Sequence, residues 1–248
     1  MMKAYFKESW RLIGRSKKEA AFFAAASVLA SLIYPQVCAF LGLEGAYSGD
    51  AGIKTQRLLG AAAYLPGLIL TAWFSAGLAG RLVMDAVKGE AGSMALYGNG
   101  WFLRKFVWDL FFMLLMWVPV WFLSVGPKLV IGLISFAWLL GGIFLAVRSS
   151  LWINISVAEN TGLLEALKRS FTMSAGREWT LLFMGLIPVA AGRMLGWAFG
   201  KMAGSGEAAA YYANALFEAP ASLAVAGAFA AFYVSLVSRT EAAPPAMK

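Results

Sequence analysis

The chain has no histidine, one cysteine and little charge. Of its 248 residues, 14% are Asp, Glu, Lys or Arg, against about 25% in soluble domains. Without histidine there is no His-based catalytic triad, no His metal site and no imidazole proton shuttle. With Cys38 alone there is no internal disulfide and no cysteine-cluster metal site. No phosphate-binding loop occurs, Gly98-Asn99-Gly100 reads as a turn, and no base stands beside a nucleophile. These absences argue against an enzyme and give no reason to expect a cofactor or metal. What is abundant is apolar surface. Hydrophobic residues make up 60% and the mean hydropathy is +0.70, more than a water-soluble fold of this size can hide.

Six apolar stretches can each cross a hydrocarbon core, which takes ~20 helical residues. They fall at about 20–43, 58–80, 101–125, 129–147, 179–200 and 215–237. The fourth continues weakly to Val157. The runs are continuous rather than alternating, which predicts helices and not barrel strands. The expected fold is therefore all-α: one six-helix transmembrane domain over 1–240 and a short tail at 241–248. The first run has no small-residue cleavage pattern after it and reads as a retained helix, with Cys38 a buried thiol.

Charge orients the bundle. Sixteen of the 21 Lys and Arg fall in segments on one side of these spans, four on the other, and Arg193 lies inside the fifth. The bias places both termini in the cytoplasm. The net charge of +8 then reflects topology and attraction to anionic lipid at that face, and nucleic acid is not an expected partner. Trp10, Trp101, Trp108, Trp152 and Trp179 fall near the inner interface, and Trp121, Trp197, Tyr211 and Tyr212 near the outer one, as interfacial anchors.

Segments before the odd-numbered spans share a pattern. In 2–18, Met2, Phe6, Trp10 and Ile13 recur at helical spacing opposite Lys3, Lys7, Arg11, Arg15 and Lys18. In 163–175, Leu163, Leu164, Leu167 and Phe171 line one face and Glu165, Lys168, Arg169 and Thr172 another. Asn160 or Thr161 can cap this helix and Gly176 can end it. Lys88 to Asn99 is a looser version. These read as interfacial amphipathic helices on the cytoplasmic side, one per helical hairpin.

Several stretches together resemble a known family. They are Glu8-Ser9-Trp10-Arg11-Leu12-Ile13, then Arg81-Leu82-Val83 with Lys88-Gly89-Glu90, then Glu159 through Phe171 followed by Gly176 and Trp179. The chain is similar to six-span bacterial membrane proteins that include the membrane domain of some glycerophosphodiester phosphodiesterases and many stand-alone members. The resemblance implies a six-helix fold in a bacterial inner membrane. It implies no catalytic residues, and no residues are left over here for a phosphodiesterase domain.

Candidate polar residues inside the spans are few. Arg193 lies fourteen residues after Trp179, ~21 Å along a helix, at a depth similar to Glu218. A pair between them removes two costly isolated charges, and can serve either as a ligand or ion site or as structure alone. Asp109 follows Lys105 by one turn, as Asp85 follows Arg81, and both pairs read as i,i+4 neutralisation. Gly192, Gly196 and Gly200 form a small-residue ridge for close packing, with Ala224, Gly227 and Ala228 as expected partners. Asn154, Ser156 and Asn160 are explained by turn capping. Five of the eight prolines lie within spans and can kink them. Two non-catalytic functions follow. One is an accessory or assembly subunit, or lipid-interacting scaffold, that binds a membrane partner. The other is a small transporter or channel component for a lipid-like or small polar solute. A continuous polar cavity containing Arg193 or Asp109 would favour transport. A closed apolar bundle with a large exposed apolar flank would favour the accessory role.

Overall fold

The computed structural model describes residues 2–40, 62–89, 92–122, 128–202 and 207–242, with the side chains of 117–122, 128, 129, 131, 207–212 and 239–242 left aside. These residues are helical almost throughout, with no strand among them. In chain order the helices are α1 (Met2–Arg15), α2 (Lys17–Phe40), α3 (Leu65–Lys88), α4 (Met94–Phe122), α5 (Lys128–Ser149), α6 (Trp152–Glu159), α7 (Leu163–Ser174), α8 (Glu178–Met202) and α9 (Glu207–Ala242). Five stretches are long and apolar enough to cross a membrane: Lys17–Phe40, Leu65–Lys88, Gly132–Glu159, Glu178–Met202 and Ala213–Ser238. By length and composition the chain is a multi-pass membrane protein. α4 is 29 residues long and carries Arg104, Lys105 and Asp109 near its middle. The expected span ends at 41–43, 58–61 and 123–125, and the tail at 243–248, lie outside the described residues, as do the side chains of Trp121, Tyr211 and Tyr212.

In lipid, apolar burial gives helices little reason to associate, so close van der Waals approach and hydrogen bonds must do it. The two broadest interfaces, α8 with α9 and α3 with α4, show how. Gly192 and Gly196 of α8 are buried. A Cβ on Gly192 would lie 2.7 Å from the Phe217 carbonyl oxygen, and one on Gly196 would lie 2.7 Å from Asn214 Cα. The ridge is therefore a packing surface, with Gly200 also buried, but it meets Asn214, Phe217 and Ala221 instead of Ala224, Gly227 and Ala228. Gly227 has another use. α1 packs across α9 there, placing Ser9 and Ile13 against it and Tyr5 against Phe232 at 5.2 Å between ring centroids. α3 presents Ala72, Ala76, Gly77, Ala79 and Gly80 as a buried small-residue face.

The structure corrects two local expectations. First, among the described residues no separate helix occupies 88–99: α3 ends at Lys88, Gly89 takes φ 67°, and α4 runs unbroken from Met94. Second, the tail of the fourth span is a distinct helix, α6, set off by a turn at Ser150-Leu151. Its residues Trp152 and Asn154 through Ala158 are buried, so Trp152 packs against Trp108 instead of anchoring at an interface. The two amphipathic helices each turn a mixed face to the bundle. α1 buries Tyr5, Ser9, Leu12 and Ile13 and leaves Trp10 55% exposed, and α7 buries Ala166, Ser170 and Ser174 and leaves Leu164 81% exposed.

Pro35, Pro188 and Pro220 sit inside helices. Pro66 occupies the first turn of α3, where its missing N–H costs nothing. Asn160 neither caps α7 nor does Thr161; Gly162 does so without a side-chain bond. Asn160 adopts φ 52° to end α6, and Gly176, at φ 72°, follows the end of α7. Cys38 is fully buried.

One end of the bundle is tied by charge. Arg15 pairs with Asp85 at 3.9 Å and Arg81 with Glu19 at 3.6 Å, so the expected Arg81–Asp85 pair is replaced by two ties between helices. Arg148 meets Glu178 at 2.7 Å, and Arg169 meets Glu159, which also accepts from Tyr233 at 3.3 Å. Trp101 donates to the Ser156 carbonyl at 3.2 Å and Arg104 to the Thr161 carbonyl at 2.8 Å. These last two bonds fasten α4 to α6 and to the turn that follows it.

Candidate functional site

Two charged pairs lie within the bundle. Lys105 and Asp109, one turn apart on α4, pair through the ammonium and both carboxylate oxygens, with side chains 18% and 21% exposed. Arg193 Nε of α8 donates to Glu218 Oε1 of α9 at 3.0 Å, with side chains 71% and 36% exposed. The first pair is internal to one helix and well enclosed. The second joins two helices and stands open.

Three cavities lie along them. The largest, 690 Å³, is lined by Ser31, Tyr34, Tyr64, Thr71, Arg193 and Glu218, among others. A second, 250 Å³, shares Ser31, Thr71 and Glu218 with the first and reaches Ser27, Ser75, Lys105 and Asp109. A third, 340 Å³, shares Ser75, Lys105, Asp109 and Ser222 with the second and ends at Ser149, Ser150 and Asn154. Neighbouring cavities share wall residues, so the three sit side by side in a row, a segmented chamber that reaches from the Arg193 side to the turn before α6. Its lower part takes residues from α2, α3, α4, α5, α6, α8 and α9.

The hydroxyls of this chamber are arranged by helix geometry. Ser27 donates to the Phe23 carbonyl at 2.9 Å, Ser31 to Ser27 at 3.1 Å, Thr71 to Gly67 at 3.0 Å and Ser75 to Ala72 at 3.2 Å. Each proton is used on the helix's own backbone, which is how a hydroxyl is tolerated in lipid. The oxygens keep acceptor capacity toward the chamber. Chemically it is a row of hydroxyl-lined cavities with an ion pair in its middle and another at one end.

The chain matches no family model, no curated protein and no solved structure. Its reading therefore rests on this geometry. Arg193 with Glu218 and Lys105 with Asp109, singled out by depth and spacing, come together as pairs and line the same chamber. Gly192, Gly196 and Gly200 stand outside it as packing residues. The serines and Thr71 were not singled out, though a signal exists. Ser27/Ser31, Thr71/Ser75 and Lys105/Asp109 are each polar pairs at i,i+4 in three successive apolar helices, and that spacing puts each pair on one helix face. Asn154 and Ser156, read as capping residues, are buried at 2% and 0% exposure. Asn154 lines the chamber, while Ser156 donates to the Thr161 carbonyl at 2.9 Å. Among the described residues no cluster of three or more Cys, Asp or Glu could hold a metal ion.

Proposed function

We propose that this protein is a six-span inner-membrane protein with both termini in the cytoplasm, and that it passes a small polar or lipid-like solute through the chamber between Arg193 and Asn154. In this reading α4 is the sixth span, its three charges tolerated because they face the chamber and the tied end of the bundle rather than lipid. Membership of the six-span family that the motifs resemble belongs to the same proposal. α1 and α7 lie at the cytoplasmic interface. Their exposed Lys3, Lys7 and Lys168, with Lys17 and Lys18 at the start of α2, attract anionic lipid, and Trp10 and Leu164 reach into it. The protein is non-catalytic.

The observation that carries transport over the accessory role is the row of adjoining cavities with both ion pairs in its walls. Charge inside a span is costly, and a pair that faces a cavity rather than a packed interface is where a solute can meet it. One observation favours the accessory role. Along α5, Leu133, Ile134, Phe136 and Leu140 are all more than half exposed, a flank against which a membrane partner could pack.

Thiol reactivity separates the two, since a thiol reacts as the thiolate and needs water to ionise. In a Cys38→Ala background, Ser222→Cys and Thr71→Cys should react with a membrane-impermeant methanethiosulfonate at least ~10-fold faster than Leu133→Cys, which faces lipid. Reaction of the chamber positions no faster than the Leu133 control, from either face, would overturn transport and leave the accessory reading.

A further inference from the structure

The passage explains why the chamber is polar, but not why its 690 Å³ end pairs an open Arg–Glu bridge with aromatic rings. We propose that this end is a head-group site for a zwitterion: a ligand with an anionic phosphate or carboxylate and, a few bonds away, a cationic ammonium. The proposal deepens the transport reading by naming the class of solute, and it rests on that reading only for what happens to the ligand afterwards.

Charge is the first ground. Arg193 and Glu218 present opposite signs 3.0 Å apart on the wall of one cavity. Among the described residues Glu218 meets the guanidinium at its Nε edge and Arg193 is 71% exposed, which offers the terminal amino groups as donors for an oxyanion. The Glu218 carboxylate has a second oxygen for an ammonium. A lone anion would meet Glu218 and a lone cation would meet Arg193, each repelled by one half of the site. A neutral ligand would gain nothing from either charge. A ligand carrying both signs completes the array.

Shape and lining are the second ground. A volume of 690 Å³ lies within the ~300–1,000 Å³ usual for small-molecule sites, with room for a head group and the start of an apolar moiety. Tyr34 and Tyr64 stack at 3.8 Å between centroids and line the cavity together with Trp197. Aromatic faces bind ammonium and quaternary ammonium groups. Beside the cavity, Met194 and Trp197 of α8 and Leu216 of α9 are more than 60% exposed, an apolar surface along which acyl chains could lie.

Such a zwitterion could be the head of a lipid or a free molecule. The test uses the full chain in mild detergent, with native mass spectrometry of added lipids sharing the same acyl chains: phosphatidylethanolamine, anionic phosphatidylglycerol and uncharged diacylglycerol. The zwitterionic lipid should be retained about tenfold more tightly than either of the others. The double variant Arg193→Gln/Glu218→Gln, which leaves no charge unpaired, should abolish that preference. The swap Arg193→Glu/Glu218→Arg should keep it. Competition by millimolar O-phosphoethanolamine would show that the head alone suffices. Lipid binding that resists competition would show that the chains are needed, and either result fits the site. Equal retention of the three lipids by the native chain, or a preference that survives neutralisation of both residues, would overturn it. A head-group preference in a protein whose Ser222→Cys and Thr71→Cys thiols stay unreactive would sink transport and spare the site. Reactive thiols without the preference would do the reverse.

Discussion

Replacing single glycines by alanine tests the packing argument with its own internal control. At Gly192 the new Cβ would sit 2.7 Å from the Phe217 carbonyl oxygen and 2.9 Å from Ala221 Cβ. Ordinary contact begins near 3.4 Å, so α8 and α9 must separate by roughly half an ångström or more. The obstacle is backbone, which cannot rotate aside. Overpacking of this kind costs about 1–3 kcal/mol. At Gly141, within α5, nothing lies within 4 Å of the added atom, and alanine there gains about 1 kcal/mol of helix propensity. Both variants receive that gain, so their difference isolates the steric term, at about 1–3 kcal/mol. At roughly 2–4 °C per kcal/mol for a chain of this size, Gly192→Ala should melt about 2–12 °C below Gly141→Ala. The measurement is thermal unfolding in mild detergent, followed by tryptophan fluorescence. Equal melting temperatures would refute the close approach of α8 to α9 and with it the position of Arg193 beside Glu218.

Two further outcomes follow from the same structure. Gly227→Leu should push α1 off α9, because Ile13 Cδ1 already lies 2.8 Å from where a Cβ would be. Trypsin should then cut faster at Lys7 and Arg11 with the rest of the bundle intact, and an unchanged cleavage rate would count against the docking. Arg104→Gln removes the charged donor to the Thr161 carbonyl, a bond worth about 1.5–3 kcal/mol. Amide exchange should rise in α6 and α7 while α8 and α9 keep their protection.

Where the sequence was informative, one helix sufficed to carry the signal. Continuous apolar runs reveal helices in lipid, and Lys105 with Asp109 can be paired from spacing because both stand on one helix. Arg193 and Glu218 are legible from depth alone, since a charge far inside a span must find its opposite. What depends on neighbours was hidden. α6 lies in an apolar run with no glycine or proline to mark the turn at Ser150, so it reads as more of α5. α1 has its larger side chains at Phe6 and Trp10, yet docks through Tyr5, Ser9 and Leu12, because a glycine on α9 rewards small residues. The chamber was least legible. A serine among alanines looks like ordinary helix, and only the assembled bundle brings Ser27, Ser75 and Ser222 to one cavity.

The two charged pairs also differ in when they can form. A ribosome delivers α4 long before α9, so the nascent chain must hold Lys105 and Asp109 in the bilayer while most of the chamber wall does not yet exist. A partner on the same helix solves this, because the charges are matched as soon as that turn emerges. Arg193 and Glu218 sit on the last two helices, separated by 25 positions, and reach the translocon almost together. The order of synthesis thus permits a bond between helices only where neither half waits long for the other.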